Sequence, residues 1–158
     1  MSIVTTTVTI NAAFLEEIKQ DDRRLRQLLS EARAAFAQRR FHRAWLIRTV
    51  ALLCDLRDQL ALHFTLEESF GYFDEPVCAA PWLSDRADTL RAQHPDLFVQ
   101  ICEIVEVAER SLEPDARPAR LDQVADRLDE FLAALEQHET DETELIFQAY
   151  NDDIGVGD

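Results

Sequence analysis

Apolar residues recur along this chain at alternating intervals of three and four, the spacing of one helix face. The clearest run is Leu121, Val124, Leu128, Phe131, Leu135, His138, Glu142, Leu145 and Ala149, which predicts a long final helix with a single inward seam. A preceding helix is expected from Ser84, read as its cap, to just before Pro114, with Ala87, Leu90, His94, Leu97, Ile101, Ile104 and Ala108 facing inward. A second helix is expected from about Arg43 to Phe70 through Leu53, Leu56, Leu60, His63 and Glu67, and a first from Asn11, as N-cap, to about Arg39 through Ile18, Asp22, Leu25, Leu29, Ala32 and Phe36.

Punctuation separates these segments. Gly71, Pro76 and Pro81 mark a long loop, and EPDARPA before the last helix marks a break. The β-branched opening TTTVTI predicts an extended arm over residues 1–10, and NDDIGVGD predicts an acidic tail, residues 151–158, beyond the last helix. Four segments of about 25 residues with short or moderate connections predict one all-α domain over 1–158, an antiparallel up-down-up-down four-helix bundle.

Composition supports the helices and narrows the partners. Of 158 residues, 47% are apolar and only 3 are Gly and 5 Pro, enough for a sizeable core with few helix breakers. The net charge of -15 repels phosphate backbones and anionic headgroups, so neither nucleic acid nor a membrane surface is an expected partner. Cys54, Cys78 and Cys102 form no CxxC pair and leave one thiol over, which suits a reducing compartment. No apolar stretch long enough to span a bilayer and no leader pattern is present, so a cytoplasmic protein is expected.

The chemistry lies where the seams are interrupted. His63 and Glu67 stand four apart on the second helix, as do His138 and Glu142 on the fourth; His94 interrupts the third and Asp22 the first. A lone seam histidine is more often a hydrogen-bonded core residue than a ligand. Six such groups are another matter, because buried carboxylates cost several kcal/mol each without a compensating cation. In an up-down-up-down bundle all six meet at one end, so Asp22, His63, Glu67, His94, His138 and Glu142 are the candidate metal ligands. His42 lies too far along the second helix to join them, by about 31 Å. Glu68, Glu139, Asp141 and Glu144 flank the ligands and read mostly as a charged outer face. Tyr72, Tyr150 and Trp45 are candidates for hydrogen bonds to the ligands.

At these residues the chain resembles the hemerythrin-like family, the HHE cation-binding domains, over nearly its full length. HFTLE at 63–67, QH at 93–94 and HETDE at 138–142 fit its pattern of HxxxE on helix two, one His on helix three and HExxE on helix four. The resemblance implies a non-haem di-iron centre in a hemerythrin-like four-helix bundle. It further implies His63, His94 and His138 as terminal ligands and Glu67 and Glu142 as carboxylates able to bridge two ions. Two departures stand out. QDDRRL puts Asp22, with Asp21 as the substitute, where the family has His, and Phe98 stands where oxygen carriers have a second helix-three His. Pro95 is expected to kink or end its helix beside His94.

Three imidazoles with three carboxylates make a hard, anionic site that favours ferric iron and accepts manganese or a mixed pair. Two iron ions that bind or sense O2, peroxide or a related small oxidant are therefore expected, rather than reversible oxygen carriage, with Leu60, Leu97, Phe98 and Leu135 as a dry wall. No residue is assigned a catalytic role, and a binding protein is favoured over a dedicated enzyme. The competing readings are a slow oxidase or peroxidase on the same centre, and a metal-free helical interaction protein with an acidic surface.

Overall fold

The structure, a computed structural model, describes residues 2–38, 42–69 and 74–156, with side chains over 16–38, 42–68 and 76–151. These residues form α1 (Ser2–Ala37), α2 (Arg43–Ser69), a short α3 (Asp74–Ala79), a 3-10 turn (Pro81–Leu83), α4 (Ser84–Arg110) and α5 (Ala119–Val156). The predicted third and fourth helices are thus α4 and α5. No helix among the described residues is long and apolar enough to cross a membrane.

Three expectations change at helix ends. α1 already begins at Ser2, so the Thr-rich opening is helical rather than an extended arm, and Asn11 lies inside the helix rather than capping it. α5 likewise runs on to Val156, into the acidic tail. Thr and Val cost only a few tenths of a kcal/mol per residue in a helix, and lengthening an existing helix avoids the cost of nucleation. α4 follows directly on the 3-10 turn, with Leu83 rather than Ser84 at its N-cap position. Pro95 neither ends nor interrupts α4, and Leu90 and Leu97 are buried on either side of it. The expected long loop holds α3 and the 3-10 turn, while Phe70, Gly71 and Tyr72 lie outside the described residues.

Polar contacts close the remaining ends. His42 Nδ1 accepts the Trp45 backbone N–H at 3.0 Å, satisfying one of the unpaired donors that open α2. Arg120 and Arg43 donate to the Arg110 and Leu112 carbonyls at 2.9 and 3.2 Å, satisfying oxygens left over where α4 stops. Trp45 Nε1 reaches the Ala35 carbonyl at 3.2 Å and its ring meets Phe36 edge-on, which ties α1 to α2.

α1 packs on α2, α2 on α4, and α4 on α5. Two buried apolar clusters result. The larger draws on all four long helices and ends at Phe64, Leu97 and Leu135. The smaller combines Ala80 and Leu83 with Ala87, Leu90, Leu145 and Ala149, where α3 and the 3-10 turn meet α4 and α5. Fully burying a side chain such as Leu145 contributes about 1.5–3 kcal/mol, so the short segment 76–83 is an integral seal and not a free loop. Between Leu90 and Leu97 on α4 lies His94; between Leu135 and Leu145 on α5 lie His138 and Glu142. The polar residues thus form a layer with an apolar cluster on each side.

Candidate metal centre

Helical spacing sets the inner residues. His63 and Glu67 share a face of α2 one turn apart, as do His138 and Glu142 on α5, and α4 carries His94 between them. All five are buried, with His94 and His138 each 2% exposed. His63 Nε2 lies 2.8 Å from Glu67 Oε1, and the other Glu67 oxygen lies 3.1 Å from His94 Nε2. Glu142 Oε1 lies 2.8 Å from His138 Nε2 and 3.4 Å from His94 Nε2. Each glutamate is therefore shared by two histidines.

Outer groups hold the opposite ring nitrogens. Asp21 Oδ2 lies 2.5 Å from His63 Nδ1, Glu68 Oε1 3.1 Å from His94 Nδ1, and Gln93 Oε1 2.7 Å from His138 Nδ1. Gln59 donates to the other Asp21 oxygen at 2.6 Å. Phe64 stacks on His94.

The five predicted residues on α2, α4 and α5 come together, whereas α1 presents its two aspartates differently. Asp21 is buried, 5% exposed, while the Asp22 side chain is 42% exposed, with Oδ1 4.0 Å from His63 Nδ1. The α1 seam runs through Asp21, Leu25, Leu28 and Ala32, leaving Asp22 at its edge. Glu68 and Glu139 do not simply face solvent as expected: Glu68 bends back to His94, and Glu139 is half-buried. Asp141 and Glu144 do bind outer partners, Gln137 and Arg86. Of the aromatic candidates, Trp45 is committed at the α1–α2 turn and Tyr150 is exposed. Glu68, expected on the outer face, instead meets His94, and Gln59 and Gln93 were not singled out by the sequence, although Gln59 precedes His63 by one turn.

The electrostatics match this geometry. Burial alone would lower the His63 pKa, but the carboxylates of Asp21 and Glu67 push it up to about 11. Burial likewise opposes the shift at His94, and Glu142, Glu67 and Glu68 push it up to about 9. Burial would raise Glu67, yet the imidazoles of His63 and His94 hold it down to about 2. Burial raises Asp22 and Glu139, partly offset at each by His63.

Two groups of side chains could hold cations. Glu67, His94, His138 and Glu142 bring ligand atoms within 4.8 Å of one another, as do Asp21, Asp22 and His63. A buried polar atom without a partner costs about 1–3 kcal/mol. Glu67 Oε2 and His138 Nε2 are both buried and make no well-aligned hydrogen bond, although His94 Nε2 and Glu142 Oε1 lie 3.1 and 2.8 Å away. A cation held among Glu67, His94, His138 and Glu142 would satisfy both. The residues present fit a metal ion.

Compared with known proteins, the chain matches no family model, no curated protein and no solved structure.

Proposed function

We propose that this chain is a hemerythrin-like protein whose bundle holds two metal ions, iron by preference, and uses them to bind or sense oxygen or a related small oxidant. The observation that carries this reading is the buried cluster of imidazoles and carboxylates, Glu67, His94, His138 and Glu142, in which Glu67 Oε2 and His138 Nε2 make no hydrogen bond. An antiparallel up-down-up-down arrangement is supported by the order of cross-helix contacts. Asp21 meets His63 while Ala35 meets Trp45; Glu68 meets His94 while Cys54 meets Glu109; and Gln148 meets Arg86 while Arg120 meets Arg110.

His63, His94 and His138 would hold the ions through Nε2 together with Glu67 and Glu142, while α1 brings Asp21 and Asp22 to the Nδ1 side of the His63 ring. Bound there, iron supplies one-electron chemistry toward oxygen or peroxide. The protein's own share is to keep the pocket dry between two apolar clusters, to fix each imidazole, and to place anionic groups that favour the ferric state. A cytoplasmic setting suits the three free thiols, Cys54, Cys78 and Cys102.

An optical spectrum tests the reading. Protein purified in air should show ferric carboxylate–imidazole absorption that disappears on anaerobic reduction and returns when air is admitted. A spectrum indifferent to reduction and reoxidation would refute an oxidant-responsive iron centre.

A further inference from the structure

We propose that Asp21 is a positioning residue for the centre and not one of its ligands, so that α1 acts on the metal only through His63. The inference rests on the metal-binding reading above and concerns how this chain fills the helix-one position.

The two nitrogens of an imidazole lie on opposite sides of the ring, and only one can face a given ion. For His63 the inner nitrogen is Nε2, which points to Glu67, and the outer is Nδ1, which meets Asp21. Both Asp21 oxygens are engaged, Oδ1 by the Gln59 amide and Oδ2 by His63. Asp22 lies on the same outer side, 4.0 Å from Nδ1. Reaching the inner cluster would require either aspartate to pass around the ring.

The same arrangement repeats at the other two histidines. His94 Nδ1 meets Glu68 and His138 Nδ1 meets Gln93, while both Nε2 atoms face Glu142. An acceptor at Nδ1 holds the proton there and leaves the Nε2 lone pair for a metal, and it raises the basicity of the ligand when the acceptor is anionic. The inner donor set is then three Nε2 atoms with Glu67 and Glu142, all from α2, α4 and α5. Gln59 and Asp21 form a hydrogen-bonded chain behind His63, and Asp22 lies at its edge.

Asp21→Asn, Asp22→Asn and Gln59→Leu, each loaded anaerobically with ferrous iron beside the wild type, test this. Asp21→Asn should keep the wild-type number of ions per chain but bind them 10- to 100-fold more weakly in chelator competition. Its midpoint potential should rise, because His63 loses an anionic partner, a change that mere loosening of the fold would not produce. Gln59→Leu should shift affinity and potential in the same direction but less, and it decides the matter should Asp21→Asn fail to fold. Asp22→Asn, which removes a half-exposed carboxylate 4.0 Å from His63 Nδ1, should keep the wild-type number of ions per chain and shift the potential less than Asp21→Asn does. Loss of one ion per chain in Asp21→Asn or Asp22→Asn, from a wild type that binds two, would make that aspartate a ligand and overturn the inference while leaving the metal reading intact. A wild type that binds no iron would overturn both.

Discussion

Phe64 lies flat against His94, with ring centroids 4.4 Å apart and planes 13° from parallel. Phe64 is also one wall of a cleft of about 240 Å³ between α2 and α4, lined in addition by Ala61, Thr65, Glu68, Pro95 and Phe98, with His94 at its floor. The buried Phe64 ring therefore covers one face of His94 beside this cleft. Phe64→Ala should destabilise the protein by about 3–5 kcal/mol and speed the removal of bound metal by a chelator. Equal stripping rates in wild type and variant would show that Phe64 does not guard the centre.

The shared glutamate should matter more than any single histidine. Glu67 lies between His63 and His94, so Glu67→Gln removes a charge from both sides at nearly constant volume. Metal content should fall below about one ion per chain, with the helical circular dichroism spectrum retained. Wild-type metal content in Glu67→Gln would remove Glu67 from the site.

Metal-free protein should have a defined pH window. The raised pKa values of His63, about 11, and His94, about 9, contribute stability that is complete below their ordinary 6.5 and is lost as pH rises through the folded values. The lowered Glu67, about 2, contributes stability present above its ordinary 4.5 and lost as pH falls toward 2. Melting temperature of stripped protein should peak between pH 4.5 and 6.5 and fall on both sides. Metal must displace protons from the imidazoles, so affinity rises with pH. The melting gap between loaded and stripped protein should widen from pH 6 to pH 8.5, and a gap that narrows would contradict the assigned ligands.

A binding or sensing protein should also turn over little substrate. Peroxide consumption by iron-loaded wild type should be indistinguishable from that of Glu67→Ala. Sustained turnover lost in Glu67→Ala would favour the oxidase or peroxidase reading.

The seams of α2, α4 and α5 were legible in the sequence because burial there follows helical period, and polar residues at those positions are costly enough to attract notice. His63, Glu67, His94, His138 and Glu142 all sit where the period puts them. On α1 two adjacent aspartates compete for one position, and period alone cannot separate neighbours 100° apart on a helix; the buried member proved to be Asp21. Glu68 was placed on the outer face and Gln93 missed for a related reason. Their backbone positions border the seam, and only flexible side chains bending back reach His94 and His138. Helix ends were misread because Thr and Asp bias a chain only weakly against continuing an established helix, and a single Gly costs about 1 kcal/mol, less than starting a new one. The seal made by α3 and the 3-10 turn depends on contacts distant in sequence, which local pattern does not encode.

Elemental analysis of protein purified from iron-supplemented cells, without added chelator, bears most directly on whether cations fill this interior. About two ions per chain are predicted, iron foremost, falling in Glu67→Gln and Glu142→Gln. Less than about one metal ion per chain in the wild type, after reconstitution as well as on purification, would contradict it.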